Sequence, residues 1–295
     1  MADAGVLGYK SFLIHSGIDE FGAMLKDDLE KSCPLIAKTG LPFLVHAETE
    51  IPDFTPPAYR YVYRDFTASR PPRMETEAIR MMLDLCRRFR FRLHIVHLAT
   101  AEALPMLCEA KAEGLPLTVE TCPHYLYFAA ENIPDKSPQY KCCPPIRDER
   151  NRLQLWEAVK NGTIDLIASD HSPAPATWGG VASLQFTLPV ILAEAEKQGV
   201  NLIRVSELLC TAPAKLAGMM QKGVIAEGYD ADLVIADDHT DYTPTESDIL
   251  YRHAISPYLG YRLKGKVKAT VLGGKIIYEN GKFPLPPQGR PILRH

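Results

Sequence analysis

One local pattern occurs five times in this chain and constrains its fold more than any other feature: an apolar run that ends abruptly in polar, chemically capable residues. The runs are Gly5–Ile14, Leu41–Glu48, Phe91–Thr100, Leu115–Tyr125 and Ile164–Pro173. Between them lie stretches with helical spacing of apolar residues: Met24–Thr39 before Gly40, Met74–Phe89, Ala101–Glu113 before Gly114, and Asp148–Lys160 before Asn161-Gly162. Apolar runs of this length suit strands buried on both faces, and strands separated by helices predict parallel βα units. The class is therefore α/β. In such a sheet, reacting groups gather where a strand gives way to its loop, because the strand fixes them and the loop leaves them accessible.

The fifth run presents Ser169, Asp170, His171 and Ser172 before Pro173 stops the pairing. Asp170 is the best single candidate for a catalytic residue; the alternative is that it only caps the following turn. Lys10 lies in the apolar middle of the first run. Strand lysines normally face solvent, but a desolvated lysine has a lowered pKa and reacts with carbon dioxide to give a carbamate, an anionic oxygen ligand. His46 ends the second run. His94 and His97 share the third, and alternation along a strand predicts that they cannot both face one side. His97 is the candidate ligand because it lies nearer the strand's end, and His94 is expected to pack. Neutral imidazoles, a carboxylate and a lysine carbamate suit a pair of divalent metals, most plausibly zinc. The residues from 52 to 73, rich in Pro, Arg and Tyr, read as a loop.

Composition narrows the function classes. With 295 residues, 46% of them hydrophobic, the chain can bury a substantial core, and a net charge of -3 gives no reason to expect a nucleic-acid or anionic-membrane surface. No run approaches the ~18 apolar residues of a membrane span, so a cytoplasmic location is expected. The seven cysteines form no Cys-x-x-Cys pair and read as reduced thiols. Leu184–Lys197 and Ser206–Met219 look helical, and from Gly223 short strands and tight turns replace the βα rhythm. The expected division is a hydrolase barrel over 1–220 and a β appendage with its tail over 221–295.

Taken together, Gly8-Tyr-Lys10-Ser-Phe, Leu44-Val-His46-Ala-Glu48, Ser69-Arg-Pro71, His94-Ile-Val-His97, Glu120-Thr-Cys-Pro-His124-Tyr, Lys141-Cys-Cys-Pro-Pro-Ile-Arg147, Ser169-Asp-His-Ser-Pro173 and Trp178-Gly-Gly180 carry a resemblance. Asp230-Ala-Asp-Leu-Val and Ser256-Pro-Tyr-Leu-Gly260 extend it into the appendage. The chain resembles the cyclic-amide branch of the amidohydrolase superfamily, and within it the allantoinases. The resemblance implies a (β/α)₈ TIM-type barrel with a small β-sandwich, a di-zinc site and a homo-oligomer. It makes Lys10 the N6-carboxylated bridging ligand, gives His46 and His97 to the second zinc, and has Asp170 bind the first zinc and shuttle a proton. Cys142, Cys143 and Ser172 fall where relatives seat the substrate ring. The implied reaction opens the hydantoin ring of allantoin to allantoate, with a small molecule as the only partner.

The family pattern also begins with His-x-His on the first barrel strand, and no two of the nine histidines here are separated by a single residue. The chain is thus expected to open at the fourth strand of that pattern, without about the first three βα units, and with a shorter loop between Ser172 and Trp178. Weak binding of one zinc and poor turnover are the corresponding expectations. Dihydropyrimidinase or hydantoinase chemistry is the neighbouring reading, less favoured because of Lys141-Cys-Cys-Pro-Pro and Glu120-Thr-Cys-Pro-His. A non-enzymatic scaffold is the reading from another class; its sign would be erosion of the ligands, yet Lys10, His46, His97 and Asp170 all keep ligand chemistry.

Overall fold

The computed structural model describes residues 1–59, 61–172, 180–287 and 289–294; Pro173 and most of the Trp178-Gly-Gly180 motif, with the short loop expected there, lie outside them. Five parallel strands, β1 (Tyr9–Phe12), β2 (Phe43–His46), β3 (Leu93–Ile95), β4 (Leu117–Thr121) and β5 (Leu166–Ile167), are hydrogen-bonded in the order of the sequence. An arc of that order with helices along it is consistent with a TIM-type barrel. Among the described strands, β1 and β5 have one partner each and form the two edges.

The helices begin and end where the sequence supplies the chemistry. Helix α1 (Lys26–Thr39) stops at Gly40, whose φ of 65° is the left-handed conformation that closes a helix. A second helix, α2 (Tyr63–Ser69), precedes α3 (Pro72–Phe89), which starts on a proline whose missing N–H costs nothing in the first turn. After α4 (Leu104–Ala112) and the short α5 (Pro123–Tyr127), α6 (Glu149–Asn161) is capped by Asp148, which accepts from the Asn151 N–H at 2.9 Å. One face of the sheet, Phe43, Val45, Leu93, Ile95 and Val119, is buried against Leu29, Cys33, Ile79, Met82 and Cys86 of the helices. Full burial of one such side chain contributes about 1.5–3 kcal/mol. Because this face carries the core, the opposite face of the same strands is left for the site.

One expectation needs correction. Residues 63–69, read as loop, form α2, because Tyr63 and Phe66 bury one face of a single turn pair and the Ile146 N–H donates to the Tyr63 hydroxyl at 3.0 Å. The segment expected to be helical over Ser206–Met219 is helical as far as Leu216, continuing α8 (Leu202–Ser206) through a π turn at Glu207–Thr211 into α9 (Ala212–Leu216). Pro213 accounts for the π turn, since it lacks the N–H that a regular α ladder requires. In the appendage, the described residues form one antiparallel sheet: β6 (Leu233–Tyr242), β7 (Leu263–Leu272) and β8 (Lys275–Glu279). Gly273 and Gly274, both at positive φ, make the turn between β7 and β8. Helix α7 (Thr187–Lys197) carries this sheet so closely that a Cβ on Gly265 would lie 2.3 Å from Leu192 Cδ1. No described helix is long and apolar enough to cross a membrane.

Candidate active site

Strand register sets the site. Lys10 is level with Leu44, His94 and Thr118, and Phe12 with His46, so these residues line the face turned away from the helices. Glu120, two residues beyond Thr118, lies on the same face. Gly8, Lys10, Leu44, Glu120, Leu166 and Ala168 border a largely apolar cavity of about 850 Å³ that reaches the appendage.

The best-ordered part lies at the exits of β2 and β3. His46 Nδ1 is 3.0 Å from His97 Nε2, with both rings buried. His97 reaches this contact through a φ of 40°, two residues past the end of β3. The expectation that His94 and His97 face different sides is therefore wrong in its premise. The strand ends at Ile95, and the left-handed turn returns His97 to the face that His94 already occupies. His94 sits one level deeper, between Thr118 Oγ1 at 2.7 Å and Glu120 Oε2 at 2.9 Å.

Glu48 supports the pair from behind. His46 Nε2 is 2.8 Å from Glu48 Oε2, and Arg70 donates to both carboxylate oxygens, from Nε at 3.0 Å and Nη2 at 2.6 Å. Burial pushes the Glu48 carboxyl up, but the hydrogen bonds from His46 and Arg70 outweigh it and hold the group down at about 2. His97 is driven well below the ordinary imidazole range, first by burial, then by the nearby His46 and Lys10. A neutral ring is the form that lends a lone pair to a metal.

Further out, Glu75 and Arg147 tie the loops together. Glu75, on α3, accepts from the Ala99 and Thr100 N–H groups at 3.0 and 3.2 Å, just beyond His97. Arg147 donates to Glu75 at 2.9 Å and to the Arg70 carbonyl at 2.6 Å. Both side chains are buried, so neither charge has water to fall back on.

Lys10 and Asp170 are held differently. Lys10 is on edge strand β1, with its residue surface partly open to solvent and its ammonium 5.0 Å from the Phe12 ring centroid. The protein crowding around it still strips enough hydration to lower its pKa to about 8, against the opposing pull of Asp170, Glu120 and Cys122. Asp170, just past β5 at a φ of 43°, touches solvent. Desolvation by the surrounding wall raises its carboxyl, Lys10 lowers it and Glu120 raises it. These mutual effects place Lys10, Asp170, Glu120 and His46 in one electrostatic neighbourhood.

Of the residues expected to touch substrate, Cys142 is buried and Cys143 half-buried. Cys143 borders a second cavity, of about 490 Å³, with Ser69, Arg70, Tyr59, Phe66 and Lys141. Ser172 donates its N–H to Val181 at 3.0 Å and lies against Gly180, where a Cβ would meet Ser172 Oγ at 2.3 Å. Only glycine fits there. The Ser169–Ser172 turn is further pinned by the Ser183 and Leu184 N–H groups, which donate to His171 Nδ1 at 3.0 and 3.1 Å.

Among the described residues, no group of three or more His, Cys, Asp or Glu side chains is placed to hold a metal ion. The His46–His97 contact brings two imidazole nitrogens together, a donor chemistry that fits the nitrogen share of a zinc ligand set. Sequence reading missed Glu48, Arg70, Glu75 and Arg147. The first carried a signal, His-x-Glu at a strand exit, which places a carboxylate beside the imidazole; Arg70 stood in the Ser69-Arg-Pro71 motif, but nothing local tied it to Glu48, 22 residues away.

Comparison with known proteins gives the arrangement its context. Residues 89–277 match the family model described as "Amidohydrolase family". The chain is 41% identical over 307 residues to an allantoinase of Streptomyces avermitilis, covering 99% of this chain and 68% of that protein. It is 40% identical to an allantoinase of Arabidopsis thaliana and 37% to one of Saccharomyces cerevisiae, spanning 61% and 64% of their lengths. The chain thus spans about two thirds of the relatives it matches. An L-hydantoinase (dihydropyrimidinase) from Arthrobacter aurescens superposes with a TM-score of 0.89 at 30% identity, over 96% of this chain and 67% of that one. A D-hydantoinase follows with a TM-score of 0.83 at 28% identity.

Proposed function

We propose the function of this chain from its kinship: it belongs to the amidohydrolase family, and within that family to the allantoinases. The reading is hydrolysis of the cyclic amide of allantoin to allantoate. The observation that carries it is the convergence of His46 and His97, 3.0 Å apart, on the sheet face where such an amide would be attacked.

In this proposal His46 Nδ1 and His97 Nε2 would hold one divalent ion, zinc by their chemistry, while Lys10, carboxylated at Nζ, and Asp170 supply the remaining family ligands that this chain carries. A divalent ion held there would supply Lewis acidity for a ring carbonyl and for an attacking water. Asp170 takes a proton from the attacking water and returns it to the ring nitrogen as the C–N bond breaks. Its raised pKa suits an exchange in both directions. Cys143 and Ser172 flank the ring, and the buried Cys142 shapes the wall behind it. Cytoplasmic residence and homo-oligomeric assembly belong to the same proposal.

The hydantoinases that superpose on the chain support a second reading with the same residues and a different ring. Competition separates them. Zinc-loaded protein is offered allantoin, dihydrouracil and a 5-substituted hydantoin, and kcat/KM is compared. We expect slow turnover with allantoin favoured by about tenfold or more, the range one satisfied polar substituent provides. Preference for dihydrouracil would transfer the chain to the second reading, and hydrolysis of none of the three would remove both.

A further inference from the structure

We propose that Glu48, locked in place by Arg70, is a positioning residue that selects the tautomer of His46 and thereby presents the Nδ1 lone pair to the cation. The inference rests on the reading of His46 and His97 as a cation half-site, and deepens it.

The argument is one of donors and acceptors. Glu48 is fully buried and accepts two hydrogen bonds from the guanidinium of Arg70, one at each oxygen. A carboxylate so clamped has only acceptor capacity left to offer. The third group on it, His46 Nε2 at 2.8 Å, must therefore carry the proton. With that proton on Nε2, the one-proton ring leaves Nδ1 bare, and Nδ1 is the atom that faces His97. A flipped ring would exchange Nε2 for Cε1 and leave the carboxylate without that third donor.

His97 has no such constraint. Its Nδ1 is buried and has no hydrogen-bond partner among the described residues, so nothing there fixes which nitrogen holds the proton. In the metal-free protein His97 Nε2–H donates to His46 Nδ1, which accounts for the 3.0 Å contact. When a cation takes the place of that hydrogen bond, the His97 proton resides on Nδ1 while His46 keeps its own. The two histidines thus play unequal parts: His46 is preset by Glu48 and Arg70, and His97 adapts.

The experiment is ¹⁵N NMR of the imidazoles in the metal-free wild-type chain, followed by cobalt titration of the same protein and of Glu48→Gln and Arg70→Lys. The expected result is His46 as the Nε2–H tautomer with no variant needed to see it. Glu48→Gln, whose amide can donate as well as accept, should shift His46 toward Nδ1–H and weaken cobalt binding about 10–100-fold. Arg70→Lys, which keeps the charge but loses the fork, should fall between wild type and Glu48→Gln. Finding His46 as Nδ1–H in the wild type overturns the proposal even if both variants fail to fold. Unchanged tautomer and cobalt affinity in a folded Glu48→Gln overturns it as well. Cobalt binding that His97→Asn leaves intact would instead overturn the half-site reading beneath it.

Discussion

The two walls of the concave face are built on different terms. At the exits of β2 and β3, His46, Glu48 and Arg70 form an unbroken run of hydrogen bonds, with Glu75 and Arg147 binding the loops behind them. At the edges, Lys10 of β1 and Asp170 beyond β5 are exposed, and neither side chain makes a hydrogen bond among the described residues. Both pairs carry ligand chemistry. The difference is that the central wall is held by buried charges that neutralise one another, while the edge wall is placed by backbone alone. Geometry within the first should survive changes in solvent and ligand, whereas the second should respond to whatever binds in the 850 Å³ cavity it borders.

The contrast is most easily broken at Glu75. Replacement by Ala leaves Arg147 buried and unpaired and frees the Ala99 and Thr100 N–H groups, at a cost of about 3–5 kcal/mol. Urea unfolding reads this directly. Lys10→Gln on the edge wall should move the midpoint little, and comparable losses in the two variants would erase the distinction.

Acid sharpens it next. His124 is fully buried with neither ring nitrogen partnered among the described residues, and burial lowers its pKa to about 3. Below its unfolded value of about 6.5 the unfolded chain takes up a proton that the native chain refuses, so stability falls as pH drops from about 6.5 toward 3. The slope is about 1.4 kcal/mol per pH unit. Glu48 adds to the loss further down: its contribution is present above its unfolded value of about 4.3 and is lost as pH falls toward 2. His124→Phe should flatten the upper part of this curve, measured by urea midpoints across pH; an unchanged slope would contradict the burial.

The smallest effect is expected at Lys10. Its reaction with cyanate should titrate near pH 8, apart from surface lysines near 10.4. Reactivity that follows the surface lysines would show that the cavity wall leaves its hydration intact.

What the sequence made legible follows the same divide. The polar exits of the apolar runs could be read because each is local, and so could the helices that Gly40, Asp148 and Gly162 delimit. The support of the central wall is long-range. Arg70 follows a helix whose apolar residues, Tyr63 and Phe66, are too few to stand out among prolines and arginines. Glu75 and Arg147 are 72 residues apart, and no spacing announces their meeting. Alternation was a sound rule for His94 and His97 up to Ile95, where β3 ends; the backbone turn at His97 then carries information that residue type alone does not.

The central claim is that the nitrogen half-site is ready-made while the edge residues contribute late. Zinc titration by calorimetry into wild-type, His97→Asn and Lys10→Gln protein tests it in one series. The account predicts a loss of about 100-fold or more in affinity for His97→Asn and about tenfold or less for Lys10→Gln. A zinc affinity that depends on Lys10 but not on His97 would contradict it.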